Sequence, residues 1–255
     1  MELRKIFLSE GVIMNRALHV IIFSFLFICL CSCSAESPEK HSQDIGNYNI
    51  VESVYTDNID ATNQKVSISY PKISNLKNID VEQLINNSIE SLALEILEQF
   101  TTLDEMEVKV TYSITHFTSD ILSLYFVAES FHPAQAYPLI RISAATFSIE
   151  SGDIIKLTKI IDINDDFINS FFNNFHLYSK YNSVQEEHVV NEYVSGILSR
   201  ESFLISDEGL NSEIHGFLTD DSLIISIAVP HSIGSYVLYE AKYSKIKDFL
   251  NMDMN

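Results

Sequence analysis

Two runs decide the fold class: Glu107-Val-Lys-Val-Thr-Tyr-Ser-Ile-Thr-His116 and Ile121-Leu-Ser-Leu-Tyr-Phe-Val-Ala-Glu129, with Thr118-Ser-Asp120 between them. Both are rich in Val, Ile, Tyr, Phe or Thr, which fit the pleated, half-buried surface of a strand. Thr-Ser-Asp supplies turn-forming side chains, so the pair reads as a hairpin. Leu139 to Ile149 is a third such run, and Glu150-Ser-Gly152-Asp153 a second turn. An antiparallel meander follows from this order.

Upstream, Lys65-Val-Ser-Ile-Ser-Tyr70 alternates apolar and polar residues and is expected to end as a strand at Pro71. Asp80 is expected to cap a helix through Gln99, because Leu84, Ile85, Ile89, Leu92, Ile96 and Leu97 recur at spacings of three and four. Downstream, the pattern predicts helices at Asp165 to Phe175 and Val184 to Leu198. It then predicts strands at Ser202 to Ile205, Ser212 to Phe217, Leu223 to Val229 and Val237 to Tyr243, and a short helix at Ser244 to Leu250. Strand runs with segregated helices define an α+β fold. The expected form is antiparallel sheets with helices packed on one face, in two similar-sized subdomains at 64–150 and 151–255.

The amino terminus carries a different message. From Met14 a short basic region leads into a nearly unbroken apolar run, Val20 to Leu30, followed by Cys31-Ser32-Cys33-Ser34. That is the layout of a signal peptide, and the run falls short of the roughly 20 apolar residues that span a bilayer. Glu10-Gly11 implies a purine-rich stretch just before the Met14 codon, so translation is expected to start at Met14. Leu30-Cys31-Ser32-Cys33 resembles the lipobox of bacterial lipoproteins, with an aliphatic residue three before the cysteine and a small one just before it. Residues 1–32 are therefore expected to be removed and Cys33 lipidated, which anchors the chain to a membrane of the cell envelope. Polar residues 34–63 then read as a flexible spacer, with a strand beginning near Ile50.

All three cysteines fall between positions 29 and 33, so the exported domain has no disulfide framework and folds on its apolar core. Without residues 1–32 the chain has 13 basic and 33 acidic residues, formally −20. Nucleic acid and anionic lipid would be repelled by such a domain, and a cationic partner attracted. Low glycine and proline with ample Ile, Leu, Phe and Tyr describes a globular chain.

Several pieces also resemble the PdaC/RsiV-type domain pair of exported bacterial proteins. In the first half they are Ser69-Tyr70-Pro71 at a strand end, Leu84-Ile85-Asn86 in a helix, and the paired strands from Val108 to Phe126. In the second half they are His132-Pro133, Thr146 to Leu157 with its Ser-Gly152 turn, and Val229-Pro-His-Ser-Ile-Gly234-Ser-Tyr236. The resemblance spans roughly Lys65 to Leu250 and rests on turn- and strand-forming residues, so it speaks to architecture first. Some relatives carry a polysaccharide deacetylase domain after this region, and the anti-sigma factor RsiV uses it as an extracytoplasmic receptor for lysozyme. Here no His-x-x-x-His element precedes Asn255, and fewer than 20 residues precede the apolar segment. Neither a deacetylase nor a cytoplasmic sigma-binding domain is expected; ligand binding by the exported part is.

Residue patterns for chemistry are sparse. His116, His132, His176, His188, His215 and His231 show no recognised ligand spacing, although His188 and Glu192 are four apart on an expected helix. Asp162-Ile-Asn164-Asp165-Asp166 lacks the glycine and distal glutamate of a calcium loop and suits a helix cap instead. There is no G-x-S-x-G and no cysteine after Cys33. No cofactor or metal is expected.

The segment singled out for binding is Phe131-His132-Pro133-Ala-Gln-Ala-Tyr137-Pro138, where aromatics and prolines on a loop form a rigid contact surface. The expected function is a non-enzymatic envelope lipoprotein that binds a protein, such as cationic lysozyme, or a cell-wall component. The alternatives are a hydrolase of envelope polysaccharide using acidic residues near His132, and a structural part of an envelope assembly. Lipidation is directly testable: cells expressing the chain should incorporate labelled palmitate into it, and Cys33→Ala should abolish the label while Cys31→Ala retains it.

Overall fold

In the computed structural model the described residues are 43–45, 48–59, 64–98, 106–134, 136–178, 187–206 and 213–253. Within them, the strands are β1 (Gln43–Ile45), β2 (Tyr48–Ile59), β3 (Gln64–Ser74), β4 (Glu107–Phe117), β5 (Ile121–Phe131) and β6 (Leu139–Ser148), then β7 (His176–Leu177), β8 (Ile214–Leu218), β9 (Ser222–Ala228) and β10 (Tyr236–Lys242). The helices are α1 (Ile79–Glu98), α2 (Leu157–Ile160), α3 (Asp165–Asn174), α4 (Glu187–Ile197), α5 (Arg200–Ser206) and α6 (Tyr243–Ile246). One sheet has the order β1-β2-β3-β4-β5-β6 and the other β7-β10-β9-β8. The fold is α+β, as the sequence indicates.

Side-chain alternation assigns each face of the sheets. On β5, Leu122, Leu124 and Phe126 point toward α1 and share a core with its Ile85 and Ile89. Tyr125 points the other way and packs with Phe217, Ile224 and Leu238 of the second sheet. On β9 and β10, Ile225, Ile227 and Tyr239 face a separate core with Phe167 and Phe171 of α3 and Val190 and Val194 of α4. The two sheets thus lie face to face with helices outside each, in four layers. Burial on both faces explains the unbroken buried runs Leu122–Phe126 and Ser222–Ile227.

Ser123 links polar groups across this sheet interface. The Ser123 hydroxyl lies 2.8 Å from that of Thr146 on β6 and accepts the Leu218 backbone N–H from the other sheet at 2.9 Å. At the edge of the interface, His116 Nδ1 lies 3.2 Å from Asp220 Oδ1. Gly216 on β8 sits under Leu157 of α2, where a Cβ would come within 2.6 Å of Leu157 Cδ1.

Both expected turns form. Thr118 Oγ1 accepts from Ile121 N at 3.0 Å, and Gly152, at φ +81°, donates to Ser148 O at 2.8 Å. The meander β4-β5-β6 is antiparallel.

The structure departs from the sequence reading at five places. Part of the expected spacer, 33–63, is strand: β2 pairs along β3, and Tyr48 and Ile50 enter the first core. Sheet one is mixed, because β3 and β4 run parallel over Lys65–Ile68 and Glu107–Val110. A strand that leaves through a helix and returns to the same sheet edge comes back in the same direction. β3 continues through Pro71 to Ser74. Lys65 N donates to Met106 O, so odd-numbered positions of β3 face β4; by residue 71 that ladder has ended and proline forfeits no partner. The cap of α1 is Asn78, whose Oδ1 accepts from Asp80 N at 3.1 Å and Val81 N at 3.4 Å, and not Asp80. Finally, residues 202–205 are helical, in α5: Ser202 N donates to Ser199 Oγ while Ser199 N donates to Ser202 Oγ. This reciprocal cap overrides the strand-like composition.

A polar stripe on α1 holds the end of β3 and the residues just after it. Glu82 accepts from Leu76 N at 2.9 Å, Asn86 exchanges two hydrogen bonds with the Ile73 backbone at 2.8 and 2.9 Å, and Glu90 accepts from Tyr70 OH at 2.9 Å. Their spacing of four keeps all three on one helix face. The Ile-Asn pair thus has two tasks: Ile85 fills the core and Asn86 replaces a strand neighbour.

Truncating the interface tests its weight. Phe217→Ala should lower stability by about 3–5 kcal/mol through an inter-sheet cavity, and Ser123→Ala by about 1–3 kcal/mol by stranding the Leu218 N–H. Urea denaturation of each variant measures both.

Candidate functional site

The loop picked out by the sequence joins β5 to β6. Phe131, the last residue of β5, is 46% exposed, and Tyr137 is 68% exposed, unusual for rings that size. His132 is half-buried and its Nδ1 accepts the Ala134 N–H at 3.1 Å, which folds the loop back after the exposed Pro133.

The β9–β10 connection meets this loop. The Tyr137 and His231 ring centroids are 5.5 Å apart with planes tilted by 46°. His231 opens a single 3-10 turn, His231–Ile233, whose Ile233 N donates to Pro230 O at 2.9 Å. His231 Nδ1 lies 2.8 Å from the hydroxyl of the buried Ser235, and Ser235 O accepts from Val229 N at 3.0 Å. Gly234 and Ser235 both have positive φ, +124° and +68°, and these bonds hold the serine in a region that non-glycine residues seldom enter. The histidine is thus presented on a braced turn. Beside it, Tyr236 joins the inter-sheet cluster, and its hydroxyl is pushed up by burial, then by Tyr125 and Glu129.

Phe131, His132, Pro133, Tyr137 and His231 therefore share one end of the sandwich. The sequence reading named the first four; His231 stood in a quoted stretch but was not chosen. Its signal was the Pro230–Gly234 turn, whose meeting with Tyr137 depends on how the two sheets stack. Tyr48, at the start of β2, lies at the opposite end of sheet one, where its hydroxyl donates to Thr118 O at 3.0 Å. Cys33 lies outside the described residues.

Chemically this end offers aromatic faces and imidazoles. His231 meets a serine hydroxyl through Nδ1, and no carboxylate among the described residues is bonded to either imidazole to orient it as in an acyl-transfer triad. Among the described residues, no group of three or more His, Cys, Asp or Glu side chains is placed to hold a metal. Asn164 caps α3, its side chain accepting from Phe167 N at 2.9 Å, as the Asp162–Asp166 stretch suggested.

Two cavities lie elsewhere. One of about 860 Å³ is lined by Asp220, Asp221, Lys242, Tyr243, Lys247 and Asn251, among others. Within it Lys242 Nζ bonds both Asp221 oxygens, at 2.9 and 2.8 Å, which holds that carboxyl below its usual range. The other, of about 390 Å³, opens between β3 and β4.

The four-layer arrangement defines the molecule as an α+β domain. Its fold is similar to solved structures of the DUF3298 family. The match to one from Pseudomonas aeruginosa PAO1 has a TM-score of 0.50 at 10% identity, covering 83% of this chain and 97% of that one. The match to one from Bacteroides fragilis NCTC 9343 has a TM-score of 0.49 at 8% identity, covering 84% and 95%. At such identities the likeness concerns the fold alone. The sequence matches no protein-family model, and no curated protein is similar to it at a significant level.

Proposed function

We propose that this chain is a non-enzymatic lipoprotein of the cell envelope, anchored through Cys33, whose domain captures a cationic protein. The observation carrying this reading is the Tyr137–His231 contact, which joins two loops distant in sequence into one exposed aromatic surface. Tyrosine and phenylalanine give large contact area at low entropic cost, and a braced turn reduces the ordering needed on binding. The formal charge of −20 beyond residue 32 steers a basic partner toward the domain before short-range contacts form. Lysozyme, abundant and basic, is the partner first tested; a cell-wall component is the second ligand class for the same surface.

Titration of the purified chain with lysozyme at low and moderate salt is the direct experiment. Binding should weaken as salt rises. Tyr137→Ala and Phe131→Ala should each weaken it by about tenfold or more, with thermal stability changed by no more than about 0.5 kcal/mol, because both side chains are exposed. No binding at either salt concentration contradicts the proposal.

A further inference from the structure

The seam between β3 and β4 carries a second site, independent of the loop surface. The parallel ladder joins these strands only from Lys65–Ile68 to Glu107–Val110, yet both continue for another six or seven residues. They splay, and the gap is the cavity of about 390 Å³, lined by Ile50, Glu52 and Ser69 on one wall and Thr111 to Ile114 on the other. Ile50 and Ile114 belong to the first core, which gives the cleft an apolar floor.

The two walls differ in what they offer. On β3, odd-numbered positions face the seam; the Ile73 backbone is already bonded by Asn86, and Pro71 has no N–H to give. On β4, the ladder's alternation turns the backbone groups of Tyr112 and Ile114 toward the gap, beyond the last residues that pair with β3. Beside them stand the hydroxyls of Ser69, Tyr112 and Ser113 and the exposed carboxylate of Glu52, none bonded to another side chain among the described residues. Buried or half-buried donors and acceptors in strand geometry match the main chain of an extended peptide. The single carboxylate selects a cation.

We propose that the seam takes a short extended peptide that pairs with β4 at Tyr112 and Ile114 and places a lysine or arginine side chain against Glu52. The volume lies near the lower end for small-ligand sites, about 300–1,000 Å³, which suits a stretch of roughly three residues.

The test titrates the full-length chain in detergent with two blocked tripeptides, acetyl-Val-Lys-Val-amide and acetyl-Val-Glu-Val-amide, followed by calorimetry and by hydrogen exchange of residues 107–117. The lysine peptide should bind at least about tenfold more tightly than the glutamate peptide and slow exchange at residues 111–115. Glu52→Gln, a change at an exposed position, should remove that preference while leaving the fold's far-UV spectrum unaltered. Three outcomes each overturn the proposal: no binding of the lysine peptide up to about 10 mM, equal affinity for both peptides, or binding with exchange at 111–115 unchanged.

Discussion

Tyr125, Phe217, Ile224 and Leu238 meet between the two sheets, and the rest of the structure depends on that contact. Each sheet has a helical layer on one face only, so its other face needs a second cover. The chain gives each sheet the other. Burying side chains of this size contributes about 1.5–3 kcal/mol apiece, and the Ser123 hydroxyl satisfies both Thr146 and the Leu218 backbone, so matched polar groups sit within an apolar layer. The same stacking sets the candidate site, because Tyr137 and His231 lie on loops of different sheets and meet when these faces are in register.

A second constraint lies in sheet one. A parallel neighbour for β3 requires a crossover, and α1 supplies it. The helix then does more than connect: Asn86 and Glu90 bond the part of β3 that β4 does not reach, and Glu82 holds Leu76 just after it. Tyr70-Pro71 and Ile85-Asn86, two of the motifs that carry the resemblance, are two sides of that arrangement. Proline stands where the ladder has stopped, and asparagine stands in for the missing strand. The cleft between β3 and β4 is what remains open after this repair.

How much of this could be read in the sequence follows from what is local. The hairpin at Thr118–Asp120, the turn at Gly152, the helix at Asp165 and the late strands β9 and β10 are specified by neighbouring residues, and they form as expected. The helix over 202–205 was also locally encoded, in the reciprocal Ser199 and Ser202 cap, but Phe203-Leu-Ile205 reads as strand if apolar content alone is weighed. The start of β2 near Ile50 was legible, but its length was not, because the exposed Val54 and Tyr55 lie among polar residues. The loop residues Phe131 to Tyr137 stood out through proline and aromatic content. His231 did not, since nothing within its own loop announces the contact with Tyr137.

Neither sheet is stable without the other's inner face, a dependence that can be measured. It is tested most directly by pulsed hydrogen exchange across a urea gradient, comparing the unfolding midpoint of amides in β5 with that of amides in β9. The interface described here predicts one shared midpoint for both strands. Separate midpoints, with β9 opening while β5 stays protected, would contradict it.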